Sequence, residues 1–308
     1  MQFQLKGMLI LTKKSKQRKN FFEKLGLSFF LWFFNILSDR GVKGLMNFIA
    51  INIGYRFGLR KDLVFKQMKR SLPHLSHKEV LGYTKRMYQH YGLMVYEIFK
   101  ADKDDIVDNA VIEGEENLEQ AINLGKSVLI ATGHFGNWEI LGYYFLHKKI
   151  KLSAIAKKQR NPFFDEYFVK FRAKYGLDLI YQKRALRGIL KALKNNRMIF
   201  FIHDQDARKS GEIMPFMNHD ASVFMGIAKI ALKADLPIMP AYHIRNKEGK
   251  HIFRFEKIFY PKQENMTDYQ VMERLNNSLT EMITKYPDMW FWVHKRWKSV
   301  EKQRLANN

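Results

Sequence analysis

Ser127-Val128-Leu129-Ile130-Ala131-Thr132-Gly133-His134-Phe135-Gly136-Asn137-Trp138-Glu139 begins as an apolar run, breaks at a glycine and a histidine, and continues as Ile140-Leu141-Gly142-Tyr143-Tyr144-Phe145-Leu146. The first part has the length and composition of a buried strand, and the last part reads as a helix. His134 therefore falls at a strand-to-helix turn, where side chains are exposed and the helix start favours negative charge. Glu139 lies about one turn into the helix, within reach of the imidazole. A histidine held by a carboxylate makes a hydroxyl nucleophilic: the base accepts its proton, and the carboxylate fixes the tautomer and steadies the imidazolium. The His-x4-Glu spacing arises often by chance. The strand, glycine and helix around it are what point to acid–base chemistry.

Outward from this turn the pattern repeats. Apolar runs at 127–132, 152–156, 177–181, 198–202 and 237–242 alternate with helical stretches near 135–147, 162–175, 184–195 and 221–234. Such alternation predicts an α/β fold, a mixed, mainly parallel sheet flanked by helices. Residues 251–259 alternate like an edge strand, and the helix from Asp268 to Tyr286 is stopped by Pro287. In open α/β sheets ligands sit at the carboxyl ends of strands, so His134, Asp204 and Asp206 are expected on one rim. Residues 1–110 are strand-poor and predict an N-terminal helical, membrane-associating region, including the amphipathic stretch Lys78 to Lys100. The division expected is 1–110, a catalytic domain at 111–300, and a tail at 301–308.

The formal charge of +23, from 53 Lys and Arg against 30 Asp and Glu, calls for an anionic partner, a nucleic acid or an acidic membrane surface. Aromatic content of 14% suits a membrane interface, where rings sit at headgroup level and Lys snorkels, and equally suits base stacking. No recognised RNA- or DNA-binding motif is present. The absence of cysteine excludes disulfides, an acyl-cysteine intermediate and thiolate metal sites. The basic cluster Lys13 to Lys19 precedes the uncharged run Leu25 to Ser38, with a second such run at Leu45 to Tyr55. As a helix the first covers about 21 Å, short of the roughly 30 Å hydrocarbon core. Both are expected to lie in the interface with basic flanks on the cytoplasmic side, the alternative being a helical hairpin buried against the domain.

His203-Asp204-Gln205-Asp206 closes the run Met198 to Ile202. Its acids can organise a site by orienting Arg and Lys, cap the next turn beside Arg208 and Lys209, or bind a metal. The remaining histidines lack ligand spacing, so neither a metal nor a cofactor is expected. Arg160, Arg172, Lys174, Arg184 and Arg187 form a basic tract suited to phosphate, or a solvated helix face. Tyr286 to Lys298 mixes Trp290, Trp292 and Trp297 with basic residues, and reads as a lipid-facing rim or a buried terminal strand.

These blocks, in this order, resemble the bacterial lipid A biosynthesis acyltransferases. His134 to Glu139 is similar to the family's His-x4-Glu block, and Leu186 to Lys194 followed by Asp204-Gln205-Asp206 to its middle block. Pro215-Phe216 with Gly226 to Ala231, and Tyr286-Pro287 through Lys298, resemble the later blocks, so the likeness runs from about residue 20 to 300. Ala207-Arg208-Lys209 and His219-Asp220-Ala221-Ser222 depart from the family's pattern. The resemblance implies that His134, oriented by Glu139, deprotonates a hydroxyl on an acyl chain of a phosphorylated glycolipid acceptor. The acyl donor would be acyl-carrier protein or acyl-CoA. It further implies Arg172, with Arg160 close by, as the functional arginine, oxyanion donors from turn amides or Arg172, and phosphates meeting the basic tract that includes Arg187. The implied setting is the cytoplasmic face of the inner membrane, and other acceptor lipids remain open.

Overall fold

The structure, a computed structural model, describes residues 20–58, 60–159, 161–182 and 185–307. The cluster Lys13 to Lys19, Arg160 and Arg184 lie outside the described residues.

The sheet grows from strands apolar enough to be covered on both faces. β2 (Leu129–Thr132) is buried at every residue, which marks it as central. With β1 (Val111–Glu113), β3 (Leu152–Ala156), β4 (Asp178–Tyr181), β5 (Met198–Ile202), β8 (Ile238–Arg245) and β9 (His251–Phe255) it makes a seven-stranded sheet of order β1-β9-β8-β2-β5-β3-β4. Strands β8, β2, β5, β3 and β4 run parallel; β9 is antiparallel to β8 and parallel to β1. The mainly parallel sheet matches the expectation.

Alternation along each strand sorts the core into two layers. Ile130 and Phe200 pack with Ile140, Leu141 and Phe145 of α7 (Trp138–His147), and with Leu118 of α6 (Glu115–Asn123). Leu129, Ala131, Ile199 and Phe201 face the other way. They meet Ile189 of α9 (Ala185–Lys194), Ile227 of α10 (Gly226–Ala234) and Leu275 of α11 (Asp268–Lys285).

The N-terminal part is helical as expected. A helix over 20–36 leads to α2 (Asp39–Phe48), which is capped by Ser38 and runs on as a π-helical segment, Ile49–Arg56. α3 (Lys61–Ser71) and α4 (His77–Phe99) follow, the latter opened by a Ser76–Glu79 capping box. Met68, Val80 and Met87 of these helices share one apolar cluster with Phe135, Trp290 and Trp292. The helix over 20–36 buries Phe34 against Val42, Met46 and Tyr96, yet leaves Phe21, Phe22, Leu25, Phe29, Trp32 and Ile36 exposed. No described helix is long and apolar enough to cross a membrane.

Four features differ from the sequence reading. The helix expected from 221 starts at Gly226, because 212–223 fold as a hairpin, β6 (Glu212–Phe216) and β7 (His219–Val223). Its turn residues Met217 and Asn218 both have positive φ, 50° and 62°, the geometry of a two-residue hairpin written without the usual Asn-Gly signal. β9 is not an edge strand, since the three-residue β1 covers its outer side. The tryptophans of the closing segment do not form a lipid-facing rim: Trp290, Trp292 and Trp297 are 1%, 0% and 2% exposed. They pack on one another, Trp290 edge-on to Trp292 at 4.6 Å, and the Trp292 indole donates to the Pro287 carbonyl at 2.7 Å. The segment expected as a tail is helical, α12 (Lys298–Asn307), with Glu301 and Arg304 paired to Arg70 and Asp220.

Candidate active site

Parallel pairing of β2 with β5 sets Thr132 opposite Ile202. Two residues further along each chain stand His134 and Asp204, and they meet. The His134 Nδ1 lies 2.7 Å from Asp204 Oδ1, and the His134 backbone N–H donates to Asp204 Oδ2 at 2.9 Å. The Trp290 indole donates to the same Oδ2 at 2.7 Å. Burial alone would raise the Asp204 carboxyl. The adjacent His134 and the hydrogen bonds from His134 and Trp290 outweigh it and hold the group well below the usual carboxylate range. An ionised Asp204 is acceptor-only, so Nδ1 carries the proton and Nε2 presents its lone pair outward. There it meets Gln205 Nε2 at 3.2 Å.

The turn itself is laced from both sides. Gly136 donates to the Met289 carbonyl at 2.8 Å, and Phe291 donates to the His134 carbonyl at 3.0 Å. Gly136 has φ +57°, and a Cβ there would lie 1.9 Å from the His243 carbonyl oxygen, so only glycine fits. The Asn137 N–H donates to His243 Nδ1 at 2.9 Å, and its side chain caps α7 by accepting from Ile140 N–H and donates to buried Glu97 at 2.8 Å. The amides of His134, Gly136 and Asn137 are thus already spent, which removes them as the oxyanion donors expected at this turn.

Glu139 does not supply the carboxylate that orients His134. Both its oxygens are taken by Arg172 of α8 (Pro162–Lys174): Nε to Oε2 at 3.1 Å and Nη2 to Oε1 at 2.5 Å. The reason is direction. The His134 ring turns toward the β5 end, whereas Glu139 faces the neighbouring helix, where a planar guanidinium can take a carboxylate by two bonds. Burial tends to lower the Arg172 pKa, but the Glu139 charge and hydrogen bonds prevail and raise it.

His134, Glu139, Arg172, Gln205 and Asp206 line one cavity of about 1460 Å³. Its depth is mainly apolar, with Leu146, Leu152, Ala154, Leu177 and Phe200, and one half-buried cation, Lys103, lies there over the Phe171 and Tyr175 rings; the exposed Arg60, Lys157, Lys295, Lys298 and Lys302 stand at its mouth. Asp206 organises the wall. It accepts from Arg208 N–H at 2.9 Å and from Ser299 N–H at 3.0 Å, and so ties α12 to the β5 loop. Arg187 is exposed on α9 and is not among the lining residues, which fits a solvated position rather than the expected phosphate contact. Arg296 is fully buried, lying over the Phe216 ring at 5.0 Å, and burial brings its pKa down to about 10. Among the described residues no three His, Asp or Glu side chains converge as a metal site.

The site thus joins a histidine, backed by a buried acid, to a large cavity with an exposed basic rim. The model of the bacterial lipid A biosynthesis acyltransferases matches residues 12–299. The chain belongs to that family. Among similar curated proteins are the phosphatidylinositol mannoside acyltransferase of Mycobacterium tuberculosis, 21% identical over 61% of this chain and 60% of the relative, and the lipid A biosynthesis palmitoleoyltransferase of Escherichia coli K12, 24% identical over 61% of each. A lipid A biosynthesis acyltransferase of Haemophilus influenzae is 18% identical over 80% of this chain and 78% of the relative. The chain therefore spans about three fifths of the length of the first two.

The sequence reading put His134, Asp204 and Asp206 on one rim; in the structure Asp204 bonds His134, and Asp206 lines the cavity with His134, Glu139 and Arg172. Sequence reasoning missed Trp290 as a donor to Asp204, and the cavity cations Arg60, Lys103 and Lys302. Trp290 stood out only as one of a group of aromatics. The three cations lie far apart in the chain, so no local pattern joins them.

Proposed function

We propose that this chain is a membrane-associated O-acyltransferase that moves a fatty acyl chain from acyl-carrier protein or CoA to a hydroxyl of a lipid A precursor. The observation that carries the reading is the His134–Asp204 pair, its Nε2 turned to a cavity that is apolar in depth and cationic at the mouth. His134 takes the proton of the acceptor hydroxyl, whose oxygen bonds to the thioester carbonyl carbon. The carbon–sulfur bond then breaks, and the leaving thiolate receives the proton from the His134 imidazolium. Asp204 keeps the ring in the productive tautomer and offsets the charge formed on it. Arg172 is the donor best suited to the tetrahedral oxyanion, because Glu139 engages only Nε and Nη2 of a five-donor guanidinium. Glu139 acts through Arg172, as a positioning residue.

The mouth cations suit the phosphates of a glycolipid headgroup and of the donor's phosphopantetheine or its carrier. The exposed aromatic face of the helix over 20–36 suits the interface of an acidic membrane, on the cytoplasmic side where such donors are found. The mycobacterial relatives are named for mannoside acylation, which makes a sugar hydroxyl the alternative acceptor. Mass spectrometry of lipids from cells lacking the gene, complemented with the native chain or His134→Ala, tests the reading. The expected result is a lipid A species lighter by one acyl group, restored by the native chain alone. Unchanged lipid A with another lipid altered moves the acceptor, and no lipid change at all removes the transferase.

A further inference from the structure

The cavity that holds His134 is larger than the ~300–1,000 Å³ of an ordinary ligand pocket, and its lining comes from both faces of the sheet. Adjacent strand residues point to opposite faces. Ala154 and Phe200 belong to the layer under α7, whereas Ile155 and Phe201 belong to the layer under α9 and α10; all four line the same space. The cavity therefore wraps over the carboxyl ends of β3 and β5 and descends on either side. On the α7 side it follows the whole of β3, from Ala156 at the rim to Leu152 at the far end, a depth of roughly 13 Å. Gly142 of α7 is buried against this lobe, and a Cβ there would meet nothing within 4 Å. On the other side the space is a groove near the rim, lined by Ile155, Ala185, Ile189, Phe201, Ile227 and Ile230. It opens beside Phe224, Leu186 and Leu190, which are 50%, 70% and 58% exposed.

Two apolar lobes that join at one base have the form of the reaction's product if the attacked hydroxyl sits on an acyl chain. At the tetrahedral stage the donor carbon is bonded to that hydroxyl oxygen, so two hydrocarbon chains leave a single junction. Two lobes that diverge from one base give each chain its own path. A sugar hydroxyl would bring no second chain to the junction. We infer that the groove between α9 and α10 is a second hydrocarbon subsite, which receives the acceptor's own hydroxyacyl chain while the deep lobe under α7 receives the donor chain. This rests on the transferase reading.

The test uses the full chain, with Ile230→Trp and Ala185→Phe to fill the groove and Gly142→Leu to fill the deep lobe, each checked by thermal melting. Equilibrium dialysis with radiolabelled 3-hydroxymyristate is expected to show a second equivalent bound to the native chain and lost in Ile230→Trp. Kinetics then use acyl thioesters of increasing length as donors and an under-acylated lipid A precursor with 3-hydroxyacyl chains as acceptor. The groove variants are expected to raise the acceptor KM about tenfold or more and leave the donor-length profile in place. Gly142→Leu is expected to shorten the preferred donor without moving the acceptor KM. A single bound equivalent in the native chain, or groove variants that leave the acceptor KM unmoved or shift the donor profile, overturns the subsite and leaves the transferase standing. Failure of the transferase itself reads differently: His134→Ala then turns over like the native chain, whatever the groove variants do.

Discussion

Two carboxylates belong to the site, Asp204 buried behind His134 and Glu139 on the cavity wall, and they are held in opposite ways. Asp204 is 3% exposed at its side chain, sits at a strand end, and accepts from His134 and from the Trp290 indole. Glu139 is 19% exposed, sits on a helix, and has one partner, the Arg172 guanidinium. The first pair is made by sheet register, the second by two helices crossing the rim. In the mechanism proposed above, the difference separates a base with its orienting acid from a cation with its positioning acid, although only Glu139 lies close to His134 in sequence.

Rate measurements can break this comparison. His134→Ala and Asp204→Asn are expected to lose the most, about 10⁴-fold in kcat by analogy with carboxylate loss in a hydrolase triad, with melting and membrane association kept. If Glu139→Gln costs more than Asp204→Asn, the assignment of the two acids is reversed.

Arg172→Ala and Glu139→Ala are expected to cost about 10²–10³-fold each, the range for removing one oxyanion donor. The double variant should lose no more than the worse single, because the two side chains act as a unit. Additive losses in the Glu139→Ala, Arg172→Ala cycle would instead place Glu139 in a role of its own.

The smallest effect is on stability, and it sharpens the contrast between the buried and the open side. His203, buried next to Asp204, has its pKa lowered to about 4, chiefly by desolvation. Between that value and the ordinary histidine range the unfolded chain binds the proton and the folded chain does not. Stability therefore falls as pH drops through this window, and His203 contributes about 3 kcal/mol of that fall at its acid end, beside the buried His90 and His243, which desolvation also lowers. The lowered Asp204 acts lower still, its contribution fading only as pH falls below the usual aspartate range. Urea unfolding from pH 7 to pH 4 checks this, and His203→Leu should flatten the upper part of the curve.

The strand-to-helix reading of 127–146 and the alternation beyond it were legible because periodicity is local. An all-apolar tetrad such as Val128–Ala131 announces a strand covered on both faces. The hairpin at 212–223 was hidden because Met217 and Asn218 take positive φ without glycine. The tryptophans of the closing segment were left open between a lipid-facing rim and a buried strand because composition is the same for a ring in lipid and a ring in a core. Burial against Phe216 and the 289–291 strap settles it.

Chain-local chemistry was enough to find the rim and the residue types on it: a histidine after one apolar strand, an acid pair after another, and a helix start between them. Which acid meets the histidine was a matter of which strands are neighbours. β2 and β5 are separated by two intervening strands in sequence yet adjacent in the sheet, so Thr132 stands opposite Ile202 and His134 reaches Asp204. Hydrogen bonds are satisfied at a distance of about 3 Å in space, not by closeness along the chain. The cavity likewise draws its lining from strands and helices far apart in the chain, a shape that no single segment encodes.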